Sequence, residues 1–379
     1  MKHVVVIGAG FAGLMALKQL VRSKNLKLTL INKNNHFLFT PRLTELLNES
    51  ISKKIVIKDI KKIFEHKINF IKDKADYIDF KRKYIEIGKN DAKIDYDYLI
   101  MSQGATTNYF GNKNIEKNTI GYKDYNAVLK IKDKIKNNVQ KYSKTKKKEL
   151  LTFAVIGGGL TGIELICSLE QTVLKETKKY TNMNPKEARF IIIQNQKTIV
   201  RQLPDKVRLK IEKYMKNRNI EIMTKTIAKN VKNEIILTNK KKIKASTIIW
   251  TSGIKANAIK TNPKLKLDRG NTIKVTGKLK IPGYDDVYIA GDAALFIENG
   301  KPLEATAQIA WQQGVNIGKN ILSRINGEKE KDFHYFHKGT LIVLGSNKAI
   351  FTYKNISFDG KFAWYLRHLF YKFRFWQIT

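Results

Sequence analysis

Cysteine is almost absent from this chain: Cys167 is the only one in 379 residues. A single thiol excludes an intrachain disulfide and any chemistry that needs a pair of redox cysteines, and it suits a reducing compartment. It falls in an apolar helical stretch, where core packing is its expected role. The six histidines are scattered, and without a cysteine cluster the sequence offers no metal-site spacing. No uninterrupted apolar run is long enough to span a bilayer. The chain opens directly on a strand pattern, so no secretory leader is expected. Acidic residues are also scarce, 33 against 72 lysines and arginines, which leaves a net charge of +39.

Such a charge raises nucleic-acid binding as a reading. The lysines, however, are spread over the whole chain. The tightest run, Lys144 to Lys148, reads as a linker before an apolar strand, and no nucleic-acid motif accompanies it. A general lysine bias is the plainer account, and no nucleic-acid partner is expected. Attraction to an anionic membrane surface comes next.

What the sequence has is two glycine-rich loops, each between a strand pattern and a helix pattern. Gly8-Ala9-Gly10-Phe11-Ala12-Gly13 follows His3-Val4-Val5-Val6-Ile7. Gly157-Gly158-Gly159-Leu160-Thr161-Gly162 follows Phe153-Ala154-Val155-Ile156. In such loops the first glycine permits a tight turn, the second lets backbone approach a pyrophosphate, and the third lets helix pack on strand. The helix N-terminus then offers free N–H groups to the phosphates. One loop is a weak signal. Two in this context imply two dinucleotides held together, usually a flavin and a nicotinamide, and hence electron transfer.

The order of patterns implies an α/β fold with two Rossmann-like dinucleotide-binding domains, the second inserted in the first. Residues 2–32 read as strand, loop, helix and strand. Tyr84-Ile85-Glu86-Ile87 suggests an inserted antiparallel piece, and Tyr98 to Met101 another buried strand. Residues 151–254 repeat the opening pattern. Val287-Tyr288-Ile289-Ala290 then runs into Gly291-Asp292, which serves a flavin only if the chain has returned to the first domain. The expected division is 1–110 with 255–330 for FAD, 111–254 for NAD(P)H, and 331–379 as C-terminal strands and an amphipathic, membrane-associating helix.

At this point the chain resembles the type II NADH:quinone oxidoreductases, single-subunit flavoproteins that do not pump protons. Tyr98 to Gly111 (YLIMSQGATTNYFG) resembles that family's strand and Gly-x-x-Thr-Asn-Phe-Phe-Gly turn. Ile249 to Ala256 resembles its Trp-x-x-Gly-Val-Arg-Ala segment. Ala307 to Gly314 fits Ala-Gln-x-Ala-x-Gln-x-Gly residue for residue, and Gly360 to Leu369 resembles its Gly-x-x-Ala-Trp…His-Leu stretch.

The resemblance implies that Gly8, Gly10, Phe11, Ala12 and Gly13 hold the FAD pyrophosphate, with Asp292 and Gly291 at its ribityl–phosphate portion. It adds Asn32, Lys33, Pro41, Ala75, Gly104 and Gly253 as cofactor contacts. Gly157, Gly159, Gly162 and Gln194 would hold the nicotinamide nucleotide. Gln308 and Gln312, one helical turn apart, would meet the flavin edge and line a quinone pocket, where an amide can both donate and accept. Glu164 would lie beside flavin and nicotinamide as a catalytic residue. Each has a plainer alternative: Asp292 as a helix N-cap, the glutamines as a polar helix face, and Thr161 to Glu164 as a capping box.

Two departures stand out. Asn32 and Gln194 occupy positions where the family usually has an acid. Asn32 can still accept a ribose hydroxyl. Gln194 removes the charge that would repel the 2′-phosphate of NADPH, so NADPH stays open beside NADH. In Lys361 to Trp376, Phe362, Tyr365, Leu366, Leu369, Phe370, Phe373 and Trp376 share one helical arc, with Lys361, Arg367, His368, Lys372 and Arg374 outside it. That composition suits an interfacial helix. The implied setting is peripheral, on the cytoplasmic face of the inner (cell) membrane, with membrane quinone and an anionic membrane surface as partners and a homodimer left open. The rival readings are a ferredoxin-reductase-like or sulfide:quinone oxidoreductase-like flavoenzyme, or a basic nucleic-acid or membrane-binding protein on a degenerate dinucleotide fold. The sulfide chemistry needs the cysteine pair that is missing.

Overall fold

A computed structural model describes residues 1–88 and 92–378. The chain begins with β1 (Lys2–Ile7), α1 (Phe11–Leu20) and β2 (Leu26–Ile31). A short helix α2 (Leu43–Leu47) and strand β3 (Asn69–Ile71) follow. An antiparallel meander of β4 (Ala75–Asp79), β5 (Tyr84–Ile87) and β6 (Ala92–Asp95) comes before β7 (Tyr98–Met101). The chain then leaves the first unit through β8 (Ala105–Thr107).

The second unit is built from β9 (Ile120–Gly121), α3 (Tyr125–Thr145), β10 (Thr152–Ile156), α4 (Leu160–Thr177), β11 (Arg189–Ile193), β12 (Ile220–Met223) and β13 (Thr247–Trp250). The return strand β14 (Ile254–Ala256) runs antiparallel to β8. Then β15 (Val287–Ile289) and α5 (Ala307–Ile325) rejoin the first unit. The chain closes with the antiparallel strands β16 (Thr340–Val343), β17 (Ala349–Tyr353) and β18 (Ile356–Gly360), and with helix α6 (Lys361–Ile378).

Two five-stranded parallel sheets result, in the orders β15-β7-β1-β2-β3 and β9-β13-β10-β11-β12. Their central strands are apolar on both faces because both faces are covered: Val4 to Ile7, Leu99 to Met101, Phe153 to Ile156 and Phe190 to Ile193 are all buried, and on one face of the second sheet Ala154, Ile156, Ile191 and Ile193 pack with Val231, Ile236 and Ile243 of an antiparallel piece. The first sheet takes its edge strand β15 from beyond the second, so the second unit is an insertion. The inserted antiparallel piece expected around Tyr84 is the β4-β5-β6 meander.

Helix α3 shows how its sequence folds locally. Asp124 caps it by accepting from Ala127 N at 2.8 Å, and Val128, Ile131, Ile135, Val139 and Tyr142 recur on its buried side. Helix α5 lies on α1 at very close range. A Cβ on Gly314 would stand 2.1 Å from the carbonyl oxygen of Ala12, and one on Gly318 would stand 2.8 Å from that of Ala16. The glycine that closes the Ala307 to Gly314 motif is therefore a helix-crossing residue.

Candidate active site

The two glycine loops are built alike. Gly8 N donates to Ile31 O and Gly157 N to Ile193 O, each at 2.9 Å, which ties each loop to the end of the neighbouring strand. Gly8 and Gly157 have φ of +100° and +121°, open to glycine and costly for other residues. A Cβ on Gly13 would lie 2.1 Å from Gly8 O, and one on Gly162 would lie 1.9 Å from Gly157 O. The outer glycines are thus demanded by the fold itself. The middle ones are different: a Cβ on Gly10 or on Gly159 meets nothing within 4 Å. Both are helix N-caps without a side-chain cap, so the first-turn N–H groups of α1 and α4 face open space. A pyrophosphate fits that arrangement, and each loop has one such place.

The expected ribose-side amides cap their own loops. Asn32 Oδ1 accepts from Ala9 N at 3.0 Å, and Gln194 Oε1 accepts from Gly158 N at 3.3 Å. Their amide nitrogens donate to Asn34 O and Thr198 O. Two more equivalent residues escaped the sequence reading. Ser102 Oγ lies 2.9 Å from Ile7 O and 3.1 Å from Gly8 O, while Thr251 Oγ1 lies 3.1 Å from both Ile156 O and Gly157 O. The available signal was a hydroxyl residue directly after an apolar strand in both halves.

Between the units lies a cleft of about 850 Å³. Gly159, Thr161, Gly162 and Glu164 of α4 form one side, and residues 302–309 at the start of α5 form the other, with Pro41, Tyr122 and Lys123 also on the wall. A second cavity of about 250 Å³ adjoins it and shares Pro41, Ala307, Gln308, Gly339, Leu341 and Tyr371. This one is mostly aromatic and aliphatic: Phe11, Phe39, Trp311, Phe351, Leu366 and Phe370 line it, with Gln312, Lys338 and Arg374 at its polar points. Phe11 makes edge contacts with Phe37 and Phe39 at 5.3 and 5.4 Å, so its ring belongs to this pocket wall. A flat, mainly apolar ligand with a few polar atoms suits such a space.

Gln308 and Gln312 do share a face of α5, and both reach the second cavity. Each also holds the segment before β16. Gln308 Oε1 accepts from Lys338 N at 2.7 Å and from the Tyr335 hydroxyl at 2.9 Å. Gln312 accepts from Phe336 N at 3.0 Å and donates to Phe336 O at 2.9 Å. Beyond the polar face they share, these bonds give each amide partners in that segment.

The capping-box reading of Thr161 to Glu164 is corrected. Helix α4 begins at Leu160 with Gly159 as N-cap, so Thr161 is already inside the helix and Glu164 lies beyond its first turn. Glu164 instead turns toward β16, where its Oε1 accepts from Val343 N at 2.9 Å. Burial pushes its carboxyl up to about 7, against the pull of Arg367 and the Val343 N–H. Asp292 is no helix N-cap either: Ala290 holds that position in a 3-10 turn, and Asp292 Oδ2 pairs with Lys123 Nζ at 3.0 Å across the two units. Gly291 N donates to Gln313 Oε1 at 2.7 Å, a support the sequence reading missed although Gln313 sits inside the quoted motif.

The remaining expected contacts are dispersed. Pro41 lies on both cavity walls. Gly104 and Gly253 sit at the crossing between the units with φ of +63° and +88°. Lys33 is exposed just past β2, and Ala75 is buried at the start of β4, away from both cavities. Cys167 is buried in α4, and its thiol is pushed up by that burial, which keeps it inert. Among the described residues no cluster could hold a metal ion.

Helix α6 splits the expected arc. Phe362, Tyr365, Leu369, Phe373 and Trp376 are 51–72% exposed, whereas Leu366 and Phe370 line the aromatic cavity. The cationic residues divide as well: Lys361 and Lys372 are exposed, whereas Arg367 is fully buried against the protein and contacts Glu45. Among the described residues no helix is long and apolar enough to cross a membrane.

A family model described as pyridine nucleotide-disulphide oxidoreductase matches residues 2–314. The chain is 27% identical to a type II NADH:quinone oxidoreductase of Staphylococcus saprophyticus subsp. saprophyticus, over 97% of this chain and 93% of that protein. Its fold is similar to that of NDH2 from Plasmodium falciparum, solved in complex with NADH, at a TM-score of 0.89 and 19% identity over 100% of this chain and 97% of the other. It is also similar to the sulfide:quinone oxidoreductase of Aquifex aeolicus, at a TM-score of 0.83 and 20% identity over 100% and 91% of the two chains.

Proposed function

The chain belongs to the pyridine nucleotide-disulphide oxidoreductase family, and from that premise we propose that it is an FAD-dependent enzyme that oxidises NADH and reduces a membrane quinone without pumping protons. The observation that carries the reading is the set of two uncapped glycine loops, the second on the wall of the cleft and the first reaching the adjoining aromatic cavity through Phe11. Despite the family's name, disulphide chemistry is not available to a chain whose one cysteine is buried.

In this reading residues 1–110 and 255–330 hold FAD, 111–254 hold NADH, and 331–379 supply the C-terminal strands and the amphipathic helix. The N–H groups above Gly10 bind the FAD pyrophosphate, and Asp292, braced by Gln313 and Lys123, meets its ribityl portion. The N–H groups above Gly159 bind the NADH pyrophosphate. FAD, held by loop one, would supply the two-electron chemistry that links NADH to the quinone. Gln308 and Gln312 orient the quinone in the aromatic cavity, which excludes water from it. Glu164 holds a proton on its carboxyl at the cleft wall, near the pH where it can also release it. The exposed aromatic face of α6 lies in the headgroup region on the cytoplasmic side, where the net positive charge adds attraction to anionic lipid.

Steady-state oxidation of NADH with a short-chain quinone tests the whole reading. Gln312→Ala separates its two halves: quinone reduction falls, while anaerobic bleaching of the flavin by NADH continues. Equal loss of both moves Gln312 to the flavin or nicotinamide site.

A further inference from the structure

Behind the wall of the cleft lies a closed group of charges. Glu45 of α2 is 1% exposed and touches neither cavity. It accepts from Arg42 Nε at 3.1 Å and Nη2 at 2.8 Å and from Arg367 Nη1, and His368 Nε2 lies 2.9 Å away. Arg367 donates from Nη2 to Pro41 O at 2.8 Å, and the same nitrogen stands 3.7 Å from Glu164 Oε1. The ring of Tyr371, on the wall of both cavities, covers the guanidinium at 4.6 Å.

We propose that Glu45 is a positioning residue for the cleft: with Arg42 it holds the Arg367 guanidinium at one place behind Glu164, and so governs the charge of the carboxyl that faces the cleft. The inference rests on the cleft being the NADH–flavin site only for its consequence in catalysis. The placement itself stands on the geometry.

The charges explain why the hold matters. Arg42 and Arg367 bring two positive charges and Glu45 one negative, so with a neutral His368 this buried group is balanced when Glu164 is ionised. Burial opposes that ionisation. Glu45 sides with burial, because it competes for Arg367 and adds a like charge, and it pushes Glu164 up while Arg367 pulls it down. Glu45 itself is held well below the usual carboxylate range by Arg367, His368 and Arg42, which outweigh its own burial, so its charge is permanent. The other groups around Glu164 are the Val343 N–H of β16, the Tyr122 hydroxyl, which has no partner among the described residues, the Cys167 thiol on α4 and Tyr371 on α6; His368 faces Glu45. A carboxyl balanced this way changes protonation for a small change in nearby charge. NADH, one proton and a quinone give NAD⁺ and a quinol, so the reaction consumes the one proton that such a group can hold.

The test is a pH titration of the Glu164 carboxyl by infrared difference against Glu164→Gln, in the FAD-loaded protein. Wild type is expected to titrate near neutral pH. Glu45→Gln should move the titration down by about one pH unit or more, since Arg367 is then left to Glu164. Arg42→Met should move it up, because Glu45 then draws Arg367 to itself. Opposite shifts support the proposal. Shifts in one direction, or none, overturn it, because general damage would not change sign between the two variants. If Glu45→Gln does not fold, Arg42→Met decides alone: an upward shift supports, and any other result overturns. Anaerobic flavin reduction by NADH, followed separately, reports on the functional reading. Opposite titration shifts without flavin reduction would leave the positioning role standing and sink the proposed activity.

Discussion

Gly291 N donates to Gln313 Oε1 at 2.7 Å, and through that bond helix α5 holds the turn that presents Asp292. Gln313 is 2% exposed, so no water replaces it. Gln313→Leu leaves the Gly291 N–H without an acceptor, a loss of about 1–3 kcal/mol. The expected outcome is a lower melting temperature and FAD lost on gel filtration. Gln313→Glu keeps an acceptor and should retain FAD better than the leucine variant. Equal FAD content in all three proteins would remove Gln313 from the site.

The middle and outer glycines of loop one should fail differently. Gly10→Val places its side chain in open space, so the protein should fold with an unchanged circular dichroism spectrum and purify colourless. Gly13→Val drives a Cβ toward Gly8 O, which is backbone and cannot yield, so it should not fold. A yellow Gly10→Val protein would refute the pyrophosphate assignment.

Gln194→Glu changes charge while keeping an acceptor for Gly158 N, so the loop is preserved. A new negative charge roughly 4 Å from a 2′-phosphate costs up to about 4 kcal/mol at intermediate dielectric. The kcat/KM for NADPH should fall about tenfold or more beyond any fall for NADH. Parallel losses with both nucleotides would mean that position 194 does not meet the ribose.

For the membrane, point changes are the clean probe. Leu369→Asp with Trp376→Ser alters only exposed side chains and should abolish sedimentation with anionic vesicles at moderate salt, with FAD content intact. Deleting 361–379 is a poorer probe, because it strips Arg367 from Glu45, and breaking a buried ion pair costs on the order of 3–5 kcal/mol. Unchanged vesicle binding by the double variant would leave the aromatic face without a lipid role.

The sequence by itself determined the two parallel sheets, the insertion and the two glycine-rich loops. Each is written in local pattern: an apolar run, glycines at fixed spacing, then helical periodicity. It also marked Gln308, Gln312, Glu164 and Asp292. What it could not supply was the partners of these side chains. Nothing near Glu164 in sequence announces Arg367, 203 positions later, or Glu45 behind it. The same limit turned Thr161 to Glu164 into an apparent capping box, because residue types alone do not reveal that the helix already starts at Leu160. On α6, periodicity grouped Phe362, Tyr365, Leu369, Phe373 and Trp376, which are exposed, but put Leu366 and Phe370, which line the cavity, in the same arc. Only the packing of that helix decided which residues are wet, and it buried Arg367 because a buried carboxylate was there to meet it.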